Sequence, residues 1–473
     1  VLLALLLAAG ALMLPGQNSD INIIVTGGQD LLKLAVPDLR GTGDAQKFMN
    51  TFNATLWDDL DNGGVLKLVA KSLYPLNVPQ RPEDFVPPNP RSVRGPSDPP
   101  WLTDWSGAPV NANNLAFGYT AVQEGRLVLL GFLYNLTQPT PAAAQLFGKR
   151  YVGSLDEDGA KKVAREFAAD ILAQFGGKSL SGTKIYFVSD RTGPRTMGDG
   201  KKVGVKEIWS MDYDGSNQLQ LTNYKGLSMM PAVSVDGKMV AFTILAQNER
   251  NGHLTDETPQ IYIHSTEPNR KLSFYNPKSS VVATPEFTPD GQHVLFGTKI
   301  GTDKDEKIYI ANLQGGELNP ISHVSALEEE PKVNPKTGSQ IAYISGRTGH
   351  PQLWLMNIDG GGAEMLTTGE GEVSNPAWSP DGKFLAFAWT RGYEIGGFNI
   401  FVMGIDTRQP IQLTHNIGRS ENPTWAPDGL HIVFTSKRGT STQIYTMLAT
   451  GAHVQQLTTQ GNNFQPVWAK GIN

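Results

Sequence analysis

Two patterns of apolar spacing divide the chain. Up to about residue 178, apolar residues recur at intervals of three or four as well as two. From Ser181 onward they alternate in short runs broken by Gly, Pro and Asp. In the first part, "LLKLAVPDL" (31–39) reads as a buried strand. "DAQKFMNTFNATLWDDL" (44–60) reads as a helix with Ala45, Phe48, Phe52, Leu56 and Leu60 on one face, stopped by Asp61-Asn62-Gly63-Gly64. Strands are expected at 65–73, 115–123 and 126–136, with a Pro-rich excursion from Pro79 to Pro109 that carries Trp101 and Trp105. A long helix closes this part: Ser154 or Asp156 can cap it, Val163, Phe167, Ile171 and Phe175 form its stripe, and Gly176-Gly177 end it. Helices alternating with strands predict an α/β domain over residues 17–178.

The second part is repetitive. "PAWSPDGKFLAF" (376–387) parses as a strand, a tight turn in which Pro380 presets φ and Gly382 supplies a permissive backbone, and a second strand. The same hairpin returns as "PAVSVDGKMVAF", "PEFTPDGQHVLF", "PKVNPKTGSQIAY" with one inserted residue, "PTWAPDGLHIVF" and a truncated "PVWAKGIN". Its anchoring prolines, Pro231, Pro285, Pro331, Pro376, Pro423 and Pro466, recur every 43 to 54 residues, a period that belongs to propellers. Each unit adds a third strand such as "QLWLMN" (352–357) and a fourth ending in Leu-Thr or a relative, such as Leu366-Thr367. Five repeats carry all four strands. The sixth is split, with "TKIYFVSD" (183–190), "EIWSMD" and "NQLQLT" at one end and Pro466 to Ala469 supplying the innermost strand from the other. Joining the two closes a six-bladed β-propeller over residues 181–473 and leaves no open sheet edge.

At 473 residues with 39% hydrophobic content, the chain exceeds one ordinary core and suits a small domain plus a larger β architecture. The net charge of −5, with Lys and Arg scattered, gives none of the basic footprint of a nucleic-acid binder. "VLLALLLAAGALMLPG" (1–16) is too short to span a bilayer and reads as the apolar part of a secretory signal. With no cysteine there are no disulfides, thiolate metal sites or lipid-modified Cys, and an exported protein of a bacterial periplasm fits best.

The quoted repeats, the α/β domain before them and the signal-like start together resemble the TolB family, periplasmic components of the Tol-Pal system of Gram-negative bacteria. Similar hairpins also occur in propellers attached to serine peptidases of the prolyl oligopeptidase type, and the domain order separates the two. The resemblance implies a non-enzymatic adaptor. TolB-like proteins bind the lipoprotein Pal through one propeller face and the inner-membrane-linked protein TolA through the mature N-terminus, supporting outer-membrane integrity, constriction during division and protein import. The family's Pal surface includes the loops before the blade-opening prolines. Here these are "LSMM", "VVAT", "LEEE", "VSN", "SEN" and "NNFQ", without the His that family members often carry there. The expected Pal-like contact set is apolar Met229, Met230 and Val282 with polar or charged Thr284, Glu329, Glu330, Asn375 and Asn422. Ile21, Ile23 and Ile24, in the segment "QNSDINIIVTGG" (17–28), are the expected contacts for a TolA-like protein.

Other chemistry is thinly signalled. "GLSMM", "GRSEN" and "GTSTQ" lack the closing glycine of a nucleophile elbow, and the eight histidines show no His-x-His or His-Glu-x-x-His spacing. No catalytic, cofactor or metal residue is therefore assigned. "DYDGSN" (212–217) resembles the start of a calcium loop through Asp212 and Asp214, but it lacks the distal bidentate Glu and lies where other blades place a strand turn. Trp378, Trp425, Trp468 and Phe287 recur at one position of successive blades and read as inter-blade packing. The adjacent carboxylates of "LEEE" (327–330), with no packing role, form either an acidic rim for a basic partner or cation, or a solvated loop. The alternative function from another class is a periplasmic hydrolase or lyase with its active site in the central channel.

Overall fold

In the computed structural model, the alternating runs after residue 181 form six antiparallel sheets of four strands, set as blades around a central channel. The structure describes residues 31–470 apart from 92–94, 96–97, 197–199, 246, 251–252, 257–258, 267–270, 273–280, 301–303, 315–317, 392–396 and 416–417; at 247–250, 253–256, 271–272 and 281–283 it describes the backbone alone. Blades 1 to 5 open with the inner strands Leu227–Val233, Val281–Phe287, Glu328–Val333, Val373–Trp378 and Arg419–Trp425. Blade 6 is the split one: its inner strand Asn463–Ala469 pairs antiparallel with Lys184–Ser189, and Glu207–Asp212 and Leu219–Gln220 complete the sheet. Across this closure the Trp468 indole N–H donates to Thr183 Oγ1 at 2.9 Å, spanning 285 residues of chain. The expected six-bladed ring and its closure are both present.

Local chemistry explains why two short motifs punctuate every repeat. In the inner hairpin the Ser or Thr before the turn donates to the turn's Asp, as in Ser234 to Asp236, Thr288 to Asp290 and Ser379 to Asp381, at 2.5 to 2.6 Å. The glycine that follows is left-handed, and at Gly382 (φ +71°) an added Cβ would also strike Asn334 of the neighbouring blade. In the Leu-Thr motif, the hydroxyl accepts the N–H of a residue in the third strand of the same blade, as at Thr222 for Ile208, Ser322 for Ile308, Thr367 for Leu353, Thr414 for Ile400 and Thr458 for Ile444, at 2.9 to 3.0 Å. Four of these hydroxyls donate in turn to Glu207, Gln352, Asn399 and Gln443. The motif thus pins the outer strand, which is only two or three residues long.

The propeller's apolar residues cluster at the seams between neighbouring blades. Leu385, Phe387 and Trp378 pack with Leu353 and Leu355 between blades 3 and 4, and Trp425 and Phe434 with Ala386 and Val402 between blades 4 and 5. The recurrent Trp and Phe positions are therefore seam residues, as their spacing predicts: Trp378, Trp425, Trp468 and Phe287 are all buried. Among the described residues, the seam joining blades 6 and 1 buries Val188, Ile208, Phe242 and Ile244, with Tyr224, Tyr262 and Phe464 partly buried beside them.

The N-terminal unit is a mixed sheet of β1 (Leu32–Ala35), β2 (Leu66–Leu68), β3 (Asn114–Gln123), β4 (Arg126–Asn135) and β5 (Gln145–Ser154), in the order β2-β1-β3-β4-β5, with the two-residue segment Arg40–Gly41 paired parallel to the far end of β3. Two helices, α1 (Met49–Asp61) and α2 (Glu157–Gln174), bury Phe52, Leu56, Val163, Phe167 and Ile171 in one core with strand residues Leu127 and Leu129. Asp156 rather than Ser154 caps α2, accepting the Gly159 N–H at 2.7 Å. The Pro-rich excursion covers the remaining apolar residues of the sheet: Phe85, Leu102 and Trp105 pack against Phe117 and Tyr134. Two expectations need correction. The strand expected at 65–73 stops at Leu68, where Pro75 and the turn Lys71–Leu73 follow, and β5, unforeseen, forms an edge strand.

Closure predicts a measurable dependence. Removing residues 466–473 should expose the edge of Lys184–Ser189, lower the calorimetric midpoint by roughly 10 °C or more and promote self-association. An unchanged midpoint in a monomeric truncated protein would show that the ring does not depend on this strand.

Candidate functional site: the mouth of the propeller channel

Each inner strand carries a bulge at its blade-opening proline. The register of strand pairing shifts between Met229 and Ala232, Ala283 and Glu286, Glu329 and Lys332, Ser374 and Ala377, Glu421 and Thr424, and Phe464 and Val467. The residue before each proline, Met230, Thr284, Glu330, Asn375, Asn422 or Gln465, is left-handed, with φ between +49° and +56°. None is glycine, and a following proline disfavours helical backbone, so each position stores about 1 kcal/mol or more of strain.

The bulge turns these residues toward the neighbouring blade, where the side chains of Thr284, Glu330, Asn375 and Gln465 capture backbone N–H groups. Thr284 Oγ1 accepts from Glu330 N–H at 3.3 Å, the Glu330 carboxylate from Asn375 N–H and Asn375 Nδ2 (the latter at 2.9 Å), and Asn375 Oδ1 from Asn422 N–H at 3.2 Å. Gln465 Oε1 accepts from Met230 N–H at 2.9 Å, while Gln465 N–H donates to Thr435 Oγ1 at 3.1 Å. Met230 has a thioether in place of an oxygen, so blade 1 has no comparable strong acceptor to offer at this position. Inside the ring lies a cavity of about 80 Å³ lined by these residues together with Pro231, Pro285, Pro376, Pro423 and Pro466. Farther along the channel, Lys332 donates to Glu286 at 2.7 Å; burial pushes the Glu286 carboxyl up, opposed by Lys332.

Five of the residues singled out in the sequence, Met230, Thr284, Glu330, Asn375 and Asn422, thus come together at one mouth. Met229 and Glu329 lie one position earlier, half-buried. The Val282 backbone pairs with Thr298, and its side chain lies outside the described residues, as do Ile21, Ile23 and Ile24 entirely. The reading of "LEEE" as carboxylates without a packing role is corrected. Glu328 is wholly buried, paired with Arg347 and accepting from Ser345 Oγ at 3.2 Å. Glu330 is held by Asn375. Glu329 alone makes no such bond among the described residues, and its carboxyl is pushed up to about 7 by burial first, then by Glu330 and Glu306. The segments read as loops before the prolines are themselves the first halves of the inner strands. Gln465 and Lys332 were missed, although the rule of the residue before the proline points to Gln465.

The calcium-like stretch is otherwise engaged: Asp212 pairs with Lys184 and accepts from Asn217 Nδ2 at 2.7 Å, and Asp214 pairs with Arg165 at 2.6 Å. Among the described residues, no group of three or more His, Asp or Glu could hold a metal.

Comparison with known proteins follows the same outline. The family model of the TolB beta propeller domain matches residues 176–391 and 369–471. The "Protein TolB homolog" of Chlorobium luteolum is 29% identical over 253 residues, covering 53% of this chain and 51% of that protein. The "Tol-Pal system protein TolB" of Francisella tularensis subsp. tularensis is 24% identical over 229 residues, 37% of this chain and 50% of that protein. The chain thus spans about half the length of the curated relatives it matches. The crystal structure of TolB from Acinetobacter baumannii superposes with a TM-score of 0.71 at 18% identity, over 93% of this chain and 97% of that one, a likeness of fold.

Two measurements follow from the mouth. Asn375→Ala should lose about 1–3 kcal/mol of stability in urea unfolding, because it removes the Nδ2 bond to the Glu330 carboxylate, leaving only the one from the backbone N–H of residue 375, and takes the acceptor from the Asn422 N–H. Asn375→Gly should lose about 1 kcal/mol less, since glycine relieves the left-handed strain; equal losses would remove that strain from the account. Separately, the folded protein holds a proton on Glu329 between about pH 4.5, its reference value, and about pH 7. That contribution to stability is complete below 4.5 and disappears as pH rises through 7. Glu329→Gln should therefore flatten the fall in thermal midpoint across this window and raise the midpoint at pH 8 by about 2 °C.

Proposed function

The chain belongs to the TolB beta propeller family, and on that premise we propose that it is a non-enzymatic periplasmic adaptor of a Tol-Pal-like envelope complex, docking a peptidoglycan-associated lipoprotein on the mouth of its propeller channel. One observation carries the reading: six strained residues before the blade prolines converge on a single shallow cavity. Strained backbone tends to persist at functional sites. The Thr284, Glu330, Asn375 and Gln465 side chains around the cavity bond to neighbouring blades, so a rigid collar stands ready for an inserted partner group, with little ordering left to perform.

In this reading the chain comprises an export signal (1–16), an N-terminal α/β domain (17–178) and the propeller (181–473). A TolA-like inner-membrane protein engages the segment containing Ile21, Ile23 and Ile24. The protein acts in outer-membrane integrity and division. The alternative, a hydrolase or lyase working in the channel, requires an available acid or base there, and Glu286 and Lys332 are bonded to each other.

The test is surface-plasmon-resonance kinetics with the purified soluble domain of a peptidoglycan-associated lipoprotein. Met229→Asp should weaken binding about 10- to 100-fold, mainly through faster dissociation, and Glu329→Lys should slow association and reverse its salt dependence. Both side chains are half-buried and lie beside the interlocking bonds of the collar. Binding unchanged in both variants, each shown to be folded, would move the interface off this mouth.

A further inference from the structure

The N-terminal unit meets the propeller through a buried polar cluster that the partner-binding mouth does not use. On α1, Asp59 Oδ1 accepts the hydroxyl proton of Tyr213, in the turn after the third strand of blade 6, at 2.6 Å. Arg165 of α2 pairs with Asp214 of the same turn at 2.6 Å, and its guanidinium lies 5.3 Å from the centre of the Tyr213 ring. A second crossing links Asp61, at the end of α1, to His453 of blade 5 at 3.8 Å, an ion pair when the imidazole is protonated. Between these contacts lies a cavity of about 130 Å³ lined by Asp58, Asp59, Arg165, Tyr213, Asp214 and His431, among others. Asp59 Oδ2 and Arg165 Nε are buried there without a hydrogen-bond partner among the described residues, as is His431 Nε2, whose Nδ1 is bonded to Asp428 at 2.6 Å.

We infer that this junction is an acid-tightened latch: protonation of Asp59 clamps the N-terminal unit onto the propeller, and deprotonation loosens it. Geometry supplies the reason. An ionised Asp59 would have a carboxylate oxygen in a largely buried junction without a partner, a costly arrangement, whereas a neutral carboxyl removes the charge.

The charged and titratable groups facing Asp59 do not reverse this sign. Arg165 favours the anion and Tyr213 donates to it; Asp214 and Asp58 oppose it, and burial, the largest influence, raises the carboxyl to about 6. Lys161, Lys178, His431 and His453 line the same cavity. Lys71 and Asp61 act on the adjacent Asp58, in opposite directions. A group with pKa about 6 when docked and 3.8 as its reference binds its proton more tightly in the docked form. Docking is therefore fully favoured below about pH 4, and the advantage, up to roughly 100-fold, is lost as pH rises through 6.

Because the chain has no cysteine, single labels can be introduced at Leu76→Cys on the N-terminal unit and Ile411→Cys on the propeller, both exposed. Pulsed dipolar spectroscopy of the spin-labelled full chain should give one narrow distance distribution at pH 5 and a broader or second component at pH 8. Asp59→Asn, neutral at every pH, should remain narrow at both. Identical wild-type distributions at pH 5 and 8, or an Asp59→Asn distribution as broad as wild type at pH 8, would overturn the latch. Hydrogen exchange of the wild-type turn 212–218, corrected for intrinsic pH dependence, gives a second readout: greater protection at pH 5 is expected, and equal protection overturns the proposal.

Discussion

The channel mouth depends on one backbone constraint, a left-handed residue held immediately before a proline. Proline fixes its own φ and removes a donor, and its ring crowds the residue in front of it. In the inner strands of blades 1, 3, 4 and 5 that crowding coincides with the bulge, so the strand bends and the N–H of the left-handed residue itself faces the adjoining blade instead of its own hairpin partner. The seam then needs an acceptor at the matching position, and Thr284, Glu330, Asn375 and Gln465 supply one. Polarity at this ring is consequently structural before it is anything else. A partner meets side chains already oriented by the blades beneath them.

This explains how different residue types can occupy equivalent positions. Asn and Gln accept through an amide oxygen, Thr through a hydroxyl and Glu through a carboxylate, and all satisfy the same neighbouring N–H. Glu does so at the disadvantage of a buried charge, which is why its carboxyl titrates high. Farther from the axis the blades share apolar seams, and at their rims the Leu-Thr hydroxyls pin short outer strands that could not hold themselves by ladder bonds alone. Three kinds of contact at three radii hold the ring together, and each corresponds to one element of the repeat.

Much of this was legible in the sequence because the blade motif encodes its own chemistry. Ser-Pro-Asp-Gly specifies a turn through a hydroxyl, a fixed φ and a left-handed glycine, and Leu-Thr specifies an anchored strand end, so blade number and closure could be read from spacing. β5 escaped because its core-facing positions Phe147 and Tyr151, which pack against Phe167 of α2, are separated by an exposed polar stretch, Gly148, Lys149 and Arg150, that interrupts the apolar alternation. The mouth was legible as a location and illegible in detail. In "LEEE", three identical side chains meet three different surroundings within one bulged strand, with Glu328 inside the blade, Glu329 half-buried beside the mouth and Glu330 on the seam. Residue type cannot register a bulge, whereas the position of the proline can, and it would have brought Gln465 into the set.

The split blade also has a temporal side. Lys184–Ser189 leaves the ribosome long before Asn463–Ala469, and at about 5–20 residues per second the interval is on the order of half a minute. For that time blade 6 has its outer strands and lacks its inner one, so an apolar edge with Ile185 and Phe187 stands open beside five blades still being made. Non-local pairing of this kind is slow as well as late. A nascent chain of this architecture therefore needs something to occupy the edge of Lys184–Ser189 until its own last strand arrives, and an export route that delivers the chain unfolded would start that wait only after translocation.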